Sequence, residues 1–243
     1  MTGVQTCALP IYAFTDAEDV SPMTSAVAGS NFSNLALFNL NDPVSGTSNY
    51  ESPHRFTARV SYGHEFFAGY ETRVTAQWFR QKGQPQSFVM SSRGLEGSNS
   101  SNRRHLLYVP GPNDTNVVVG PNFDVAAFSA FVASKGLSQG FAERNDQYAK
   151  WSSRMDLRID QELPLFFADS KARLYLKVYN VLNLLHDEWG IQHDAEFFSP
   201  DVVTSSVNAQ GQYVYERFTP KSVSDLRETD SLWQVRLGVQ FEF

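Results

Sequence analysis

The last twelve residues of the chain, 232–243, alternate between apolar residues and polar residues or glycine. Side chains on a β-strand point to opposite faces with a period of two, so this segment predicts one strand with an apolar and a polar face. Such a strand fits a sandwich, with its apolar face inward, or a membrane barrel, with that face outward to lipid. The alternating apolar positions are Trp233, Val235, Leu237, Val239, Phe241 and Phe243.

Six further segments resemble this one, so the pattern predicts about seven long strands. Residues 122–135 carry apolar residues at helical spacing and are followed by Gly136, which predicts one short helix inside a long connection, residues 91–149. The pattern therefore predicts an all-β, antiparallel, up-and-down sheet. Its expected strands are residues 54–66, 71–79, 151–162, 171–180, 192–207, 213–218 and 232–243.

The connections between these segments are of two kinds. Three are short, FFAGYE, LPLFFADSK and NAQGQ, whereas residues 91–149, 183–190 and 219–230 are longer or richer in polar residues. Counted back from the last strand, the two kinds alternate. Every short turn is therefore expected at one end of the strands and every longer loop at the other. Outer-membrane barrels have this asymmetry, with short periplasmic turns and long extracellular loops, so the pattern favours a segment of a transmembrane barrel.

Charge and composition narrow the class of protein. The chain has 20 basic and 26 acidic residues, so it has no basic excess of the kind that indicates nucleic-acid binding. No run approaches the ~18 to 20 apolar residues that a transmembrane helix needs. That absence does not argue against a barrel, because alternating strands average out in a hydropathy window.

The first part of the chain differs from the rest. Residues 1–11, MTGVQTCALPI, resemble the translation of a sequencing-library adapter and include Cys7, the one cysteine. They lack the basic start and the apolar core of a signal peptide. We therefore expect a non-native leader outside the fold, and a chain that is the tail of a longer protein. Residues 12–53, rich in Ser, Asn, Asp, Gly and Pro, are predicted to be an extracellular loop region that precedes a C-terminal barrel part, residues 54–243.

Charged residues lie on the polar faces of the predicted strands. They fit the solvent-facing side of a sandwich or the lumen of a barrel, where Arg and acidic ladders can pair across the wall, and the lumen is favoured. The predicted lumen-facing ladder is Arg55, Arg59, Arg73, Arg154, Asp156, Arg158, Asp160, Glu162, Arg173, Lys177 and Arg236. The predicted lipid-facing residues are Trp233, Val235, Leu237, Val239 and Phe241.

Aromatic residues near the ends of the predicted strands fit two roles equally well: interfacial girdles of a membrane barrel, or plain core packing. They are Tyr62, Phe66, Phe67, Trp78, Phe79, Trp151, Phe166, Phe167, Trp233 and Phe243.

The sequence offers little for catalysis. It contains no G-x-S-x-G, P-loop or G-x-G-x-x-G motif. His186 and His193 are each followed by an aspartate, but neither pair has a ligand spacing such as H-E-x-x-H, so no metal site is predicted. The carboxylates Asp156, Asp160 and Glu162 alternate with arginines, which favours ion pairing over acid–base chemistry. We expect no enzyme, no catalytic residue and no cofactor.

Several stretches resemble the C-terminal barrel of TonB-dependent outer-membrane receptors, in particular the Oar-like group. They are SNYESPHRFTARVSY, RRHLLYVP, FAERNDQYAKWSSRMDLRIDQELP, KVYNVLNLLHDEWG and the terminal GVQFEF. The resemblance implies a barrel of about 22 strands with an N-terminal plug and a periplasmic TonB-box. It also implies that Val239, Phe241 and Phe243 form the C-terminal signal read by the barrel-assembly machinery.

No plug or TonB-box is recognisable in this chain, which we therefore expect to be roughly the last third of such a barrel. About seven strands cannot close it, so two open edges are expected and the segment alone is not expected to transport anything. Three functions remain open: transport by a receptor in the Gram-negative outer membrane, with the TonB complex as partner and an unknown ligand at the extracellular loops; surface adhesion through a barrel anchor; and a soluble all-β binding domain.

Overall fold

A computed structural model describes residues 5–33, 35–39, 42, 44–67, 69–93, 105–164 and 171–242. The predicted roles of Phe166, Phe167 and Phe243 fall outside these residues. Within the described ranges the chain forms 19 strands and four helices, which confirms the prediction of a mostly β protein.

The strands up to residue 109 are β1 (Gln5–Phe14), β2 (Glu18–Asp19), β3 (Gly46–Thr47), β4 (His54–Phe67), β5 (Tyr70–Gln81), β6 (Pro85–Gln86), β7 (Val89–Arg93), β8 (His105–Leu106) and β9 (Tyr108–Val109). The later strands are β10 (Val117–Val119), β11 (Gly140–Phe141), β12 (Gln147–Tyr148), β13 (Ser152–Pro164), β14 (Lys171–Tyr179), β15 (His193–Ala195), β16 (Asp201–Val207), β17 (Tyr213–Phe218), β18 (Ser224–Leu226) and β19 (Gln234–Glu242). The helices are α1 (Ala28–Ser33), α2 (Val125–Lys135), α3 (Val181–Leu185) and α4 (Glu228–Ser231).

Six strands form one antiparallel sheet, here called the long sheet, in the order β1-β4-β5-β13-β14-β19. These strands have 9 to 14 residues, whereas the longest strand outside the sheet, among those described, has 7. From β4 onward each long strand pairs with the next long strand in sequence, as predicted for an up-and-down meander. Within the described residues β1 and β19 do not pair with each other, so the sheet is open and does not close into a barrel.

Five of the seven predicted long strands belong to this sheet, and two do not. The predicted strands 192–207 and 213–218 were expected in the wall but lie outside it, as the short strands β15, β16 and β17. Strand β16 pairs in parallel with β7, and Val202, Val203 and Tyr215 are almost fully buried. Neighbouring residues of β16 are buried on both faces, so its sequence need not alternate, and the pattern alone did not separate the two sheets.

Strand β1 corrects the expectation for residues 1–11. It pairs antiparallel with β4 over ten positions, so most of the expected leader takes part in the fold. The edge of β4 carries unpaired backbone N–H and C=O groups, which an extended segment of almost any sequence can satisfy. In β1 the apolar residues Leu9 and Ile11 lie opposite Arg59 and Thr57, on the polar side of the sheet. Strand β1 therefore lacks the alternation of the other long strands, and the adapter resemblance stays a prediction.

The connections of the long sheet follow the expected asymmetry with one exception. Residues 15–53, 82–151 and 180–233 all leave the sheet at one end. The β4–β5 and β13–β14 connections lie at the other end, and Gly69 of the first has a φ of 80°, which favours glycine. The exception is NAQGQ, which was expected at the short-turn end. It joins β16 to β17 and therefore lies among the long connections.

The described residues of the three long connections together form a folded body, here called the loop region (residues 15–53, 82–151 and 180–233). It contains a mixed sheet with the strand order β10-β17-β16-β7-β8. Helix α2 packs against this sheet through Phe128 and Phe131. The resulting hydrophobic core consists of Phe88, Met90, Leu107, Val109, Phe123, Phe128, Phe131, Leu137, Ala142, Val202, Val203, Tyr215 and Val223. The described parts of the region predicted as loops, residues 12–53 and 91–149, are therefore largely structured.

Helix α2 confirms the predicted helix, with its start three residues later than expected. The Asp124 carboxylate accepts a hydrogen bond from the Ala127 backbone N–H at 2.9 Å, and Gly136 ends the helix with a φ of 65°. The prediction of a single helix was wrong, because α1, α3 and α4 add short helices of four to six residues. Helices this short leave almost no periodicity in a sequence.

Polar contacts attach residues 15–53 to the 82–151 connection. Arg144 pairs with Asp19, the Asn145 side-chain amide donates to the Thr47 carbonyl at 2.6 Å, and the Tyr148 hydroxyl donates to Glu51 Oε1 at 2.7 Å. Burial, together with the Glu51 carboxylate, raises the pKa of Tyr148, so this hydroxyl keeps its proton at neutral pH. The N-terminal part of the loop region is thus fixed by part-buried hydrogen bonds and also by apolar packing of Ala36 against Val89 and Leu106.

Asn180 ties the loop region to the long sheet at the end of β14. Its side-chain amide donates to the carbonyls of Gly190 at 2.9 Å and Ser231 at 2.6 Å, and its backbone N–H donates to Asp156 Oδ1 at 3.0 Å. Gly190 has a φ of 67°, and a Cβ there would come within 2.1 Å of Asn180 Oδ1. Asn180 and Gly190 both lie in the KVYNVLNLLHDEWG stretch, whose structural role is therefore to close the base of the 180–233 connection.

Candidate functional site

One face of the long sheet carries the predicted lumen-facing residues and is here called the charged face. Residues that pair directly across a sheet share a face, so the register assigns all eleven predicted residues to it. Cross-strand rows on this face are Arg55-Gln81-Ser152, Arg59-Gln77-Asp156, Thr75-Arg158-Lys177-Arg236, Arg73-Asp160-Tyr175-Gly238 and Glu162-Arg173-Gln240. A concavity of about 470 Å³ opens on this face.

Ion pairs on the charged face run both along and across the strands. Along β13, Arg154 Nε is 2.7 Å from Asp156 Oδ1 and Arg158 Nη2 is 2.6 Å from Asp160 Oδ1. Between strands, Arg173 Nη2 is 3.1 Å from Glu162 Oε1. The acidic residues of β13 therefore serve as ion-pair partners of neighbouring arginines.

Two tyrosines of β14 hold cations of the charged face by their rings. The Arg158 guanidinium lies 4.5 Å from the ring centroid of Tyr175, and Lys177 Nζ lies 4.0 Å from that of Tyr179. Tyr175 has room because Gly238 is its cross-strand partner: a Cβ at Gly238 would come within 2.5 Å of the ring. Alternation places both tyrosines on the polar face, but nothing in the sequence pattern gives them a role. Their contribution was therefore missed.

The opposite face, here called the apolar face, is exposed. Its central rows are Val60-Ala76-Leu157-Val178-Val235 and Tyr62-Val74-Ile159-Leu176-Leu237. Of the predicted lipid-facing residues, Val235, Leu237, Val239 and Phe241 lie on this face of β19 and are 52%, 68%, 52% and 56% exposed. Trp233 immediately precedes β19 and is 46% exposed.

No second layer covers the apolar face in the part of the chain that the structure describes. Among the described residues, Ala172 is the one buried hydrophobic side chain that the long sheet contributes, and both hydrophobic core clusters lie in the loop region. Soluble monomers rarely expose a contiguous apolar surface of more than a few hundred Å². An uncovered face of this kind is therefore unusual for a soluble monomer.

Aromatic residues border the apolar face at both ends of the strands. Near the loop region, Phe56 and Trp151 are packed together, with the Arg80 guanidinium 5.1 Å from the Trp151 ring centroid. Near the short turns, Phe66 and Phe67 are exposed. Phe79 was predicted among these residues, but its register opposite Thr57 and Arg154 puts it on the charged face.

The loop region has a cleft of its own. It has a volume of about 270 Å³ and lies where the three long connections meet, next to Tyr50, Gln84 and Phe197. Arg227 Nη2 is 2.6 Å from Asp194 Oδ2 at its edge. Beside this pair, burial and the nearby Lys150 lower the pKa of His193, so its ring is neutral at pH 7.

Metal ligands are not gathered anywhere in the described part of the chain: no group of three or more His, Cys, Asp or Glu side chains is placed to hold an ion. His186 and its neighbour Asp187 are 3.4 Å apart and exposed. No described helix combines the length and apolar character needed to cross a membrane. No family model, curated protein or solved structure matches the chain.

Proposed function

We propose that the long sheet is part of the wall of a β-barrel in a Gram-negative outer membrane, and that this barrel belongs to a TonB-dependent receptor that takes up a substrate. The apolar face then contacts outer-membrane lipid, and the charged face lines the lumen. The loop region lies outside the cell. The observation that carries the barrel is the uncovered apolar face on strands of 9 to 14 residues.

The dimensions of the long sheet support this setting. A tilted strand crosses a bilayer with about 9–11 residues, which every long strand provides. From Phe56 to Phe66, β4 rises about 33 Å along its axis at ~3.3 Å per residue. At a tilt of ~40° this is about 25 Å along the membrane normal, the height of the apolar band in outer-membrane barrels.

The open edges of the sheet support a larger closed wall. An exposed, regular edge such as that of β19 is a site for pairing with another strand, and closure of a barrel removes such edges. In the proposed barrel β19 pairs with a further strand of the same protein, after insertion by the barrel-assembly machinery. The resemblance to TonB-dependent receptors suggests that Val239, Phe241 and Phe243 are the signal that the barrel-assembly machinery recognises, and this role is part of the proposal.

A second candidate function is surface adhesion, with the barrel as anchor. The folded loop region favours it, because a body with 13 buried core residues presents a defined surface to a partner. Transport is preferred because the resemblance to TonB-dependent receptors covers both the long strands and the connection that Asn180 closes. The ligand in either case meets the loop region first.

Fractionation of cells that express the complete reading frame tests both functions. We expect the protein in the outer-membrane fraction, soluble only with detergent, and cross-linked to TonB after treatment with formaldehyde. Outer-membrane residence without a TonB cross-link, in a protein whose upstream sequence has no plug and no TonB-box, contradicts transport and favours adhesion. A protein that stays soluble without detergent contradicts the barrel itself.

A further inference from the structure

Three cations lie directly opposite one another on three neighbouring strands of the charged face. Arg158 of β13 pairs with Lys177 of β14, which pairs with Arg236 of β19. We call these three residues the cation row. Neighbouring strands are about 4.8 Å apart, and like charges directly opposite each other destabilise a sheet. The row therefore weakens the sheet unless other groups compensate it.

Compensation within the described residues is incomplete. Arg158 has Asp160 at 2.6 Å, and Lys177 has Asp156 at 3.8 Å, although Asp156 is already paired with Arg154 at 2.7 Å. Among the described residues, no carboxylate forms an ion pair with Arg236. It has instead the Tyr179 ring, with 5.3 Å between the guanidinium carbon and the ring centroid. The row thus retains positive charge that this part of the protein does not neutralise.

The cation row is held in a defined geometry. Tyr175 lies against Gly238 and fixes the Arg158 guanidinium, while Tyr179 contacts both Lys177 and Arg236. Arg158 and Lys177 also line the 470 Å³ concavity. Guanidinium groups bind carboxylate and phosphate in bidentate fashion, and an ammonium group adds a point charge. Asp160 already accepts hydrogen bonds from Nε and Nη2 of Arg158, so Lys177 and Arg236 are the members of the fixed row that remain to bind an anion.

We propose that the cation row is a binding site for a solute with clustered carboxylate or phosphate groups. The site deepens the proposed function and rests on it, because it assigns the chemical class of the substrate that passes along the lumen. The bound anion supplies the negative charge that Arg236 lacks. Anion binding is then strongest for solutes with at least two adjacent charges, which can bridge neighbouring members of the row.

Calorimetric titration of the complete protein in detergent tests the site. The probes are citrate for carboxylates, pyrophosphate for phosphates, and sucrose as a neutral solute. The variant Lys177→Gln/Arg236→Gln removes two charges from the row. The matched control Lys171→Gln/Arg55→Gln removes two charges from the same face but outside the row. A third variant, Lys177→Arg/Arg236→Lys, keeps both positive charges. It checks that any loss of anion binding in the first variant is not caused by loss of folding.

We expect citrate or pyrophosphate to bind, with the relative affinities identifying the favoured anion, and sucrose not to bind. The row variant should lose at least about tenfold in affinity and the control less than about threefold. The charge-keeping variant should retain binding. Absence of binding by both anions, or equal losses in the row and control variants, overturns the site. These titrations do not depend on membrane residence. Anion binding can therefore be absent although fractionation supports the barrel, and anion binding can be present although fractionation contradicts the barrel.

Discussion

Leu237→Arg is expected to destabilise the folded protein in a phospholipid bilayer by about 2–4 kcal/mol. The substitution puts a guanidinium on the apolar face near the bilayer midplane, where no water solvates it. Leu237 is 68% exposed and pairs with Leu176 in one of the two central rows. The measurement is a denaturant titration of the complete protein refolded into vesicles, followed by tryptophan fluorescence.

Two controls separate a lipid contact from simple exposure. Gln234→Arg lies on the charged face of the same strand and should cost far less than Leu237→Arg. Leu226→Arg makes the same chemical change at a residue of the loop region that is 50% exposed, and it should change stability by no more than about 0.5 kcal/mol. Equal costs at Leu237 and Gln234 would contradict the assignment of the two faces.

Phe88→Ala is expected to destabilise the loop region by about 3–5 kcal/mol, because Phe88 is fully buried in its hydrophobic core. The Phe88 ring packs edge-on against Phe131 of helix α2, with 4.9 Å between centroids, so its loss also frees the helix. The measurement is limited proteolysis in detergent: cleavage in residues 105–150 should become fast while the long sheet stays protected.

Phe197→Ala provides the matched control for this substitution. Phe197 also belongs to the loop region but is 69% exposed, so its truncation should leave the proteolysis rate nearly unchanged. If Phe88→Ala exposed the long sheet to protease as quickly as the loop region, the two parts would be one cooperative unit. The division into the long sheet and a separately packed loop region would then be incorrect.

The strands of the long sheet were predictable because their two faces meet different surroundings. Strands β4, β5, β13, β14 and β19 alternate regularly, and the charged and apolar sets are separated as the sequence indicated except near the end of β5, where Phe79 lies on the charged face and Arg80 on the apolar face. The same alternation located every member of the predicted charged ladder on one face. A period of two is a property of one strand, so it needs no knowledge of neighbouring strands.

The pairing of strands was less predictable because it depends on distant residues. Strand β16 lies beside β7, more than one hundred residues earlier in the chain, and no local pattern indicates this partner. For the same reason, the sequence pattern wrongly predicted that NAQGQ is a short turn between two strands of the long sheet. The cation row was also hidden, since Arg158, Lys177 and Arg236 become neighbours only through the register of β13, β14 and β19.

The contrast between neighbouring residues of β19 tests whether the apolar face of the long sheet contacts lipid. In a Cys7→Ser background, Arg236→Cys and Leu237→Cys each receive a fluorescent label, in the complete protein refolded into vesicles. We expect lipid-borne nitroxide to quench the label at position 237 and aqueous iodide to quench the label at position 236. Equal quenching of both labels by iodide would show that the apolar face does not contact lipid, and would contradict the barrel.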